Sequence, residues 1–92
     1  MDIEQARVFY NLQQSGIGED FAQSILSDLE SLAIYHGIHT IHFGFHRMLC
    51  HRFPFGIYYR EFSKFTEVFG ILDLRRNPAW IRNELGDRNS RQ

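Results

Sequence analysis

The apolar positions change their period near the middle of the chain. Ile3, Ala6, Phe9 and Tyr10 recur at intervals of three and four, the stripe of an amphipathic helix, and predict a helix over 2–14. Asp2 and Glu4 fall in its first turn, where carboxylates meet the positive end of the helix dipole. Ser15-Gly16-Ile17-Gly18 stops it, because paired glycines permit the positive φ of a helix exit. A second stripe, Phe21, Ala22, Ile25, Leu26, Leu29, Leu32 and Ala33, predicts a helix over 19–35 led by Glu19 and Asp20. A link of about four residues makes the two an antiparallel hairpin whose Phe and Leu side chains are core.

Beyond His36-Gly37 the period shortens to two. Over 45–52, Phe45, Arg47, Leu49 and His51 alternate with His46, Met48, Cys50 and Arg52, which predicts a strand. Ile57-Tyr58-Tyr59-Arg60 is rich in β-formers, and 65–74, with Val68, Phe69, Ile71 and Leu72, makes a third strand after a turn at Ser63-Lys64. Pro54 and Gly56 would interrupt a central ladder, which places them near a turn or a strand's beginning. Asn77-Pro78 starts a turn or short helix, Trp80 and Ile81 fold back on the sheet, and 86–92 is expected to fray. The expectation is a single two-layer α+β domain. A helical hairpin (2–35) packs on a three-stranded antiparallel meander (40–75), followed by a C-terminal segment (76–92).

Composition agrees with one small folded domain: 92 residues, 43% hydrophobic and 15% aromatic, with a net charge of −1. The apolar runs are too short to span a membrane. An acidic start unlike a signal peptide and a single cysteine point to a reducing cytoplasm. The near-zero net charge conceals a split. Residues 1–35 carry six acids against Arg7 alone, whereas 36–92 carry nine bases, five acids and all five histidines. Such asymmetry points to a polyanion or an acidic protein as partner, or to a helical half merely solubilised by carboxylates.

The candidate chemistry lies in the second half. His36, His39, His42, His46 and His51 crowd into sixteen residues. Spacings of three in an extended segment put successive side chains on opposite faces, and no acid lies among them, so no metal site or cofactor is expected. Cys50 neighbours His51 in sequence but not in direction on a strand, which favours a buried thiol over a nucleophile. Arg47, Arg52, Arg60, Arg75, Arg76 and Arg82 are interleaved with Phe53, Phe55, Tyr58, Tyr59 and Trp80. Guanidinium forks suit phosphate or carboxylate, and aromatic rings suit stacking.

Two stretches in this half also resemble a known family. Arg52-Phe53-Pro54-Phe55-Gly56-Ile57-Tyr58-Tyr59 and Ile71-Leu72-Asp73-Leu74-Arg75-Arg76-Asn77-Pro78-Ala79-Trp80 are similar to the R-F-P-Y/F-x-I-x-Y and V-L-x-x-R-R-x-P-x-x-W patterns of the ParE (plasmid-stabilisation) branch of the RelE/ParE toxin superfamily. Ala6-x-x-Phe9-Tyr10 and Gly16-x-Gly18-x-x-Phe21 extend the resemblance over about residues 4–82. It implies a helical hairpin on a twisted antiparallel sheet, and the toxin of a bacterial toxin–antitoxin pair. Such a toxin is neutralised by a small cognate antitoxin and acts by poisoning DNA gyrase. Arg47, Arg52, Arg60, Arg75, Arg76 and Trp80 are then the partner-binding set. The superfamily's other activity, ribosome-dependent endonuclease cleavage of messenger RNA, would instead need Arg47, His51, Arg60 and Arg76 about a scissile phosphate. Here the early strand position that carries a basic residue in those nucleases is Gly56, and no Tyr follows Trp80. A third reading is an inactive relative. Family members also begin with a strand that this sequence lacks before its first helix. The sheet edge is therefore expected to be covered by the antitoxin or by a second protomer in a homodimer.

Overall fold

The computed structural model describes residues 3–13 and 16–90, so the expectations for Asp2, Gln14, Ser15 and the last two residues lie outside it. The elements are α1 (Ile3–Gln13), α2 (Ile17–Tyr35), β1 (Ile41–His42), β2 (Phe45–Leu49), β3 (Phe55–Glu61), β4 (Thr66–Asp73) and α3 (Pro78–Ser90). The architecture is α+β, with a four-stranded antiparallel sheet in the order β1-β2-β3-β4.

The hairpin forms as its stripes require. Gly16 takes the left-handed conformation (φ 89°) ahead of α2, while Gly18 is buried inside α2. Arg7 bridges the pair, 2.5 Å from Glu4 on its own helix and 2.5 Å from Glu19 on α2. Its contribution is modest because all three groups meet water. Packing does more. Ala6, Tyr10, Phe21 and Ile25 close around Phe55, with ring centroids 5.2 Å apart for Tyr10–Phe21 and 5.1 Å for Phe21–Phe55. The buried face of α2 runs through Phe21, Ser24, Ile25, Asp28 and Leu32, so Leu26 and Ala33, expected in the core, are exposed.

In the second half two expectations are corrected and one holds. A short strand, β1, precedes the meander, because Phe43 (φ 57°) and Gly44 (φ 84°) make a two-residue turn that pairs His42 with Phe45. As expected, Pro54 and Gly56 sit at a strand's beginning: β3 starts immediately after Pro54, whose ring nitrogen has no hydrogen to give a ladder, and Gly56, its second residue, pairs with Leu49 and Leu72. The helix expected from Asn77-Pro78 runs on to Ser90, so residues 86–90 are helical rather than frayed. Asn77 caps it, its Oδ1 accepting from the Ala79 N–H at 2.7 Å, with Pro78 at the first helical position.

That third helix makes the molecule three layers instead of two. Along β3, Phe55, Ile57 and Tyr59 face the hairpin, where Ile57 and Tyr59 pack with Leu32 and Met48. Tyr58 faces the other way and joins Phe45, Phe69, Leu72, Ile81 and Leu85 beneath α3. A bulge in β4 helps. Tyr58 pairs with Gly70 and Tyr59 with Val68, so the extra residue, Phe69, turns towards α3 as well. Phe21→Ala, at the centre of the hairpin layer, is expected to cost about 3–5 kcal/mol in urea denaturation. Ile34→Ala, at a side chain 72% exposed, should stay within about 0.5 kcal/mol; equal losses would contradict this division of the core.

Candidate functional site

The chain reverses at one end of the sheet twice, through 50–54 between β2 and β3 and through 74–77 between β4 and α3. Strand alternation puts Arg47 on the α3 face, opposite Tyr58 and beside Gly56. Gly56 is the reason Arg47 can lie there. A Cβ at that position would meet Leu74 Cδ2 at 3.0 Å and Arg47 Cγ at 3.1 Å, so the bare backbone lets both side chains cross the central strand. Leu74 and half-buried Trp80 pack against the core under α3, and the Arg76 guanidinium stacks on Trp80, 3.9 Å from the ring centroid. Arg47 Nε and the Tyr58 hydroxyl are buried there without a hydrogen-bond partner. The Arg76 guanidinium on Trp80, beside this apolar cluster, is the part of the face suited to an anionic acceptor.

Arg75, Arg52 and Arg60 are engaged elsewhere. Arg75 is held by Asp73, at 2.9 Å and 2.8 Å, and by the Tyr10 hydroxyl at 3.3 Å. Its hydrogen bonds keep the Asp73 carboxyl below the usual carboxylate range despite burial, and Asp73 in turn raises Arg75. Arg52 lies over the ring of Phe53, which packs against Tyr10 and Phe21. Arg60 covers Phe45 at 4.0 Å and donates to Gly44 O at 3.2 Å and Asn89 Oδ1 at 2.8 Å, which ties it to the end of α3. Arg82 is exposed in the first turns of α3.

The residues expected to surround a scissile phosphate are therefore divided. Arg47 and Arg76 share the open end of the α3 face, and Arg60 shares that face under the end of α3. His51 belongs to the hairpin side, where its Nδ1 lies 2.6 Å from Asp28 Oδ1 and its N–H donates to Asp28 Oδ2 at 3.3 Å. Of the partner-binding set, Arg76 and Trp80 are brought together, Arg47 crosses Gly56 on the same face of the sheet, Arg52 and Arg75 flank that sheet end beside α1, and Arg60 does not join them.

Two arrangements were not expected from the sequence. Asp28 is buried on the apolar face of α2, where it serves His51 and lies against Cys50. Its signal was positional, since 21, 25, 28 and 32 form one helical stripe. Burial first, and then the Asp28 charge, push the Cys50 thiol up to about 12, leaving it protonated and a poor nucleophile. Secondly, His39 and His46, expected to diverge, meet around Tyr59 because the β1–β2 turn folds the chain back between them. Among the described residues no three His, Cys, Asp or Glu side chains are grouped to hold a metal, and no helix is long and apolar enough to cross a membrane.

No family model, curated protein or solved structure matches this chain. Gly56→Ala is expected to displace Arg47 and Leu74 and to cost about 1–3 kcal/mol, read by urea denaturation, with a shift of the Arg47 Nε–H resonance. Unchanged stability with an unshifted resonance would show that Gly56 does not position them.

Proposed function

We propose that this chain is the toxin of a ParE-like toxin–antitoxin pair in the bacterial cytoplasm, acting by binding: held by a cognate antitoxin at rest and directed against DNA gyrase when free. The observation that carries this reading is the α3 face of the sheet, where Arg47 and Leu74 cross Gly56 and Arg76 stacks on Trp80. It offers apolar surface and a stacked guanidinium, which suits carboxylate-bearing protein segments. It offers no general base, since the nearest sequence candidate, His51, is committed to Asp28 on the other side of the sheet. The resemblance of the two arginine-rich stretches to ParE supplies the identity of the pair.

The antitoxin also has an edge to add to. β4 is an edge strand among the described residues, and a groove of about 410 Å³ runs beside it, lined by Ile3, Glu4, Val68, Ile71 and Arg88. Alternate N–H and C=O groups of such a strand face outward and take a partner strand.

A second reading, ribosome-dependent cleavage of messenger RNA, draws on the presence of Arg47, Arg60 and Arg76 on one face. Supercoiling by purified gyrase in the presence of the protein separates the two. Inhibition is expected, weakened about tenfold by Arg76→Ala, the loss of one stacked charged contact of about 1.4 kcal/mol. Cleavage of messenger RNA on translating ribosomes without any effect on gyrase would establish the nuclease instead. Neither activity would leave the inactive relative.

A further inference from the structure

The segment 36–44, between α2 and β2, is fastened to the sheet through Tyr59, on the hairpin face. Tyr59 is fully buried, and its hydroxyl accepts the Gly37 N–H at 2.9 Å while bonded to His39 Nδ1. The tautomer follows from counting hydrogens. Tyr59 O–H donates to an unprotonated Nδ1, and its oxygen is left to accept from Gly37, so every group is satisfied only while His39 is neutral. His46 completes the arrangement, stacked on the Tyr59 ring at 5.0 Å with its Nδ1–H donating to His39 O at 2.6 Å.

We infer that the His39–Tyr59 hydrogen bond is an acid-sensitive latch, and that protonation of His39 at Nδ1 frees segment 36–44 from the sheet and opens the outer side of β2 at Arg47–Leu49. The added proton points at the Tyr59 oxygen, so the phenolic hydrogen loses its acceptor in a buried site. The surroundings do not offset the new charge. From β2 come His46 and Arg47, both basic, and Arg47 lines a groove of about 420 Å³ together with His39, Thr40 and Leu49. From β3 comes Glu61, already engaged by His36 at 3.0 Å and by the Thr66 hydroxyl at 3.0 Å, with Lys64 in the same groove as those groups. His42 stands on β1, on the segment itself.

Burial first, and the His46 charge second, hold His39 below the ordinary histidine value. A histidine held low binds fewer protons folded than unfolded. The latch's contribution is therefore complete above the unfolded value of about 6.5 and declines as pH falls from there towards the lower folded value.

β1 is only two residues long, so on release β2 loses its sole outer cover, including the bond from Arg47 N–H to Thr40 O at 2.9 Å. The test is amide hydrogen exchange in the intact protein, read at Gly37 and Arg47 against Ile57 in the central strand. Between about pH 7.5 and pH 5, after correction for intrinsic exchange, protection at Gly37 and Arg47 is expected to fall about tenfold while Ile57 is unchanged. His39→Asn keeps an acceptor oxygen near the Nδ1 position and cannot titrate. It is expected to abolish the pH dependence while Ile57 protection reports that the sheet is intact. Constant protection in the native protein, or the same loss in His39→Asn, would overturn the latch.

Discussion

The structure depends on one constraint: β3 is a central strand that must be covered on both faces. Phe55, Gly56, Ile57, Tyr58 and Tyr59 are buried in succession, so neither face can be left to water. The hairpin covers the odd-numbered side chains and α3 covers Tyr58. α3 is a polar helix overall, and it brings two fully buried apolar side chains, Ile81 and Leu85, to that task. It is placed by its cap at Asn77 and by Arg88 donating to Phe69 O at 3.2 Å. Removal of either cover would expose large aromatic surface, at roughly 25 cal/mol for each Å² returned to water.

The site follows from where that cover stops. α3 starts at Pro78, just past the end of β4, and its buried contacts fall on Phe45, Tyr58, Phe69 and Leu72. The sheet end with Gly56 is left to side chains from the flanking strands, Arg47 and Leu74, and to Trp80 with Arg76 over it. The two acids described at this end, Asp28 and Asp73, are spent on His51 and Arg75. Positive charge is thus concentrated by folding rather than by composition, since the net charge is close to zero. At the far end, the β3–β4 turn carries exposed Phe62 and Phe65 stacked at 4.9 Å, and the histidine latch lies nearby on Tyr59.

Much of this was legible in the chain. The 3.6 and 2 periodicities located both helices of the hairpin and the three longer strands, because these elements each bury one regular face. What was missed has local physical causes. β1 exists because of a turn at Phe43-Gly44, and a phenylalanine at positive φ is not a residue that announces such a turn. Gly56 sits at a strand's beginning as expected, but its role there, leaving room for Arg47 and Leu74 to cross, depends on neighbours that only the fold supplies. α3 has almost no amphipathic pattern, so its order was visible only in its cap. The arginine set was singled out by residue type, and type alone does not separate Arg75, spent on Asp73, from Arg76. Asp28 and His51, distant in sequence, became partners only once α2 lay across the sheet.

The most direct test of the central claim, that the binding surface is the open sheet end around Gly56, is a nuclear magnetic resonance titration of the intact protein with a short peptide rich in Glu and Asp. The largest shifts are predicted at the Trp80 indole N–H, the Arg47 Nε–H and the Leu74 methyl groups, with Arg60 and His51 unmoved and the effect weakened by salt as the screening length falls to about 8 Å at physiological ionic strength. Shifts centred on Arg60 or on the His36–Glu61 end, or none at all, would contradict the account.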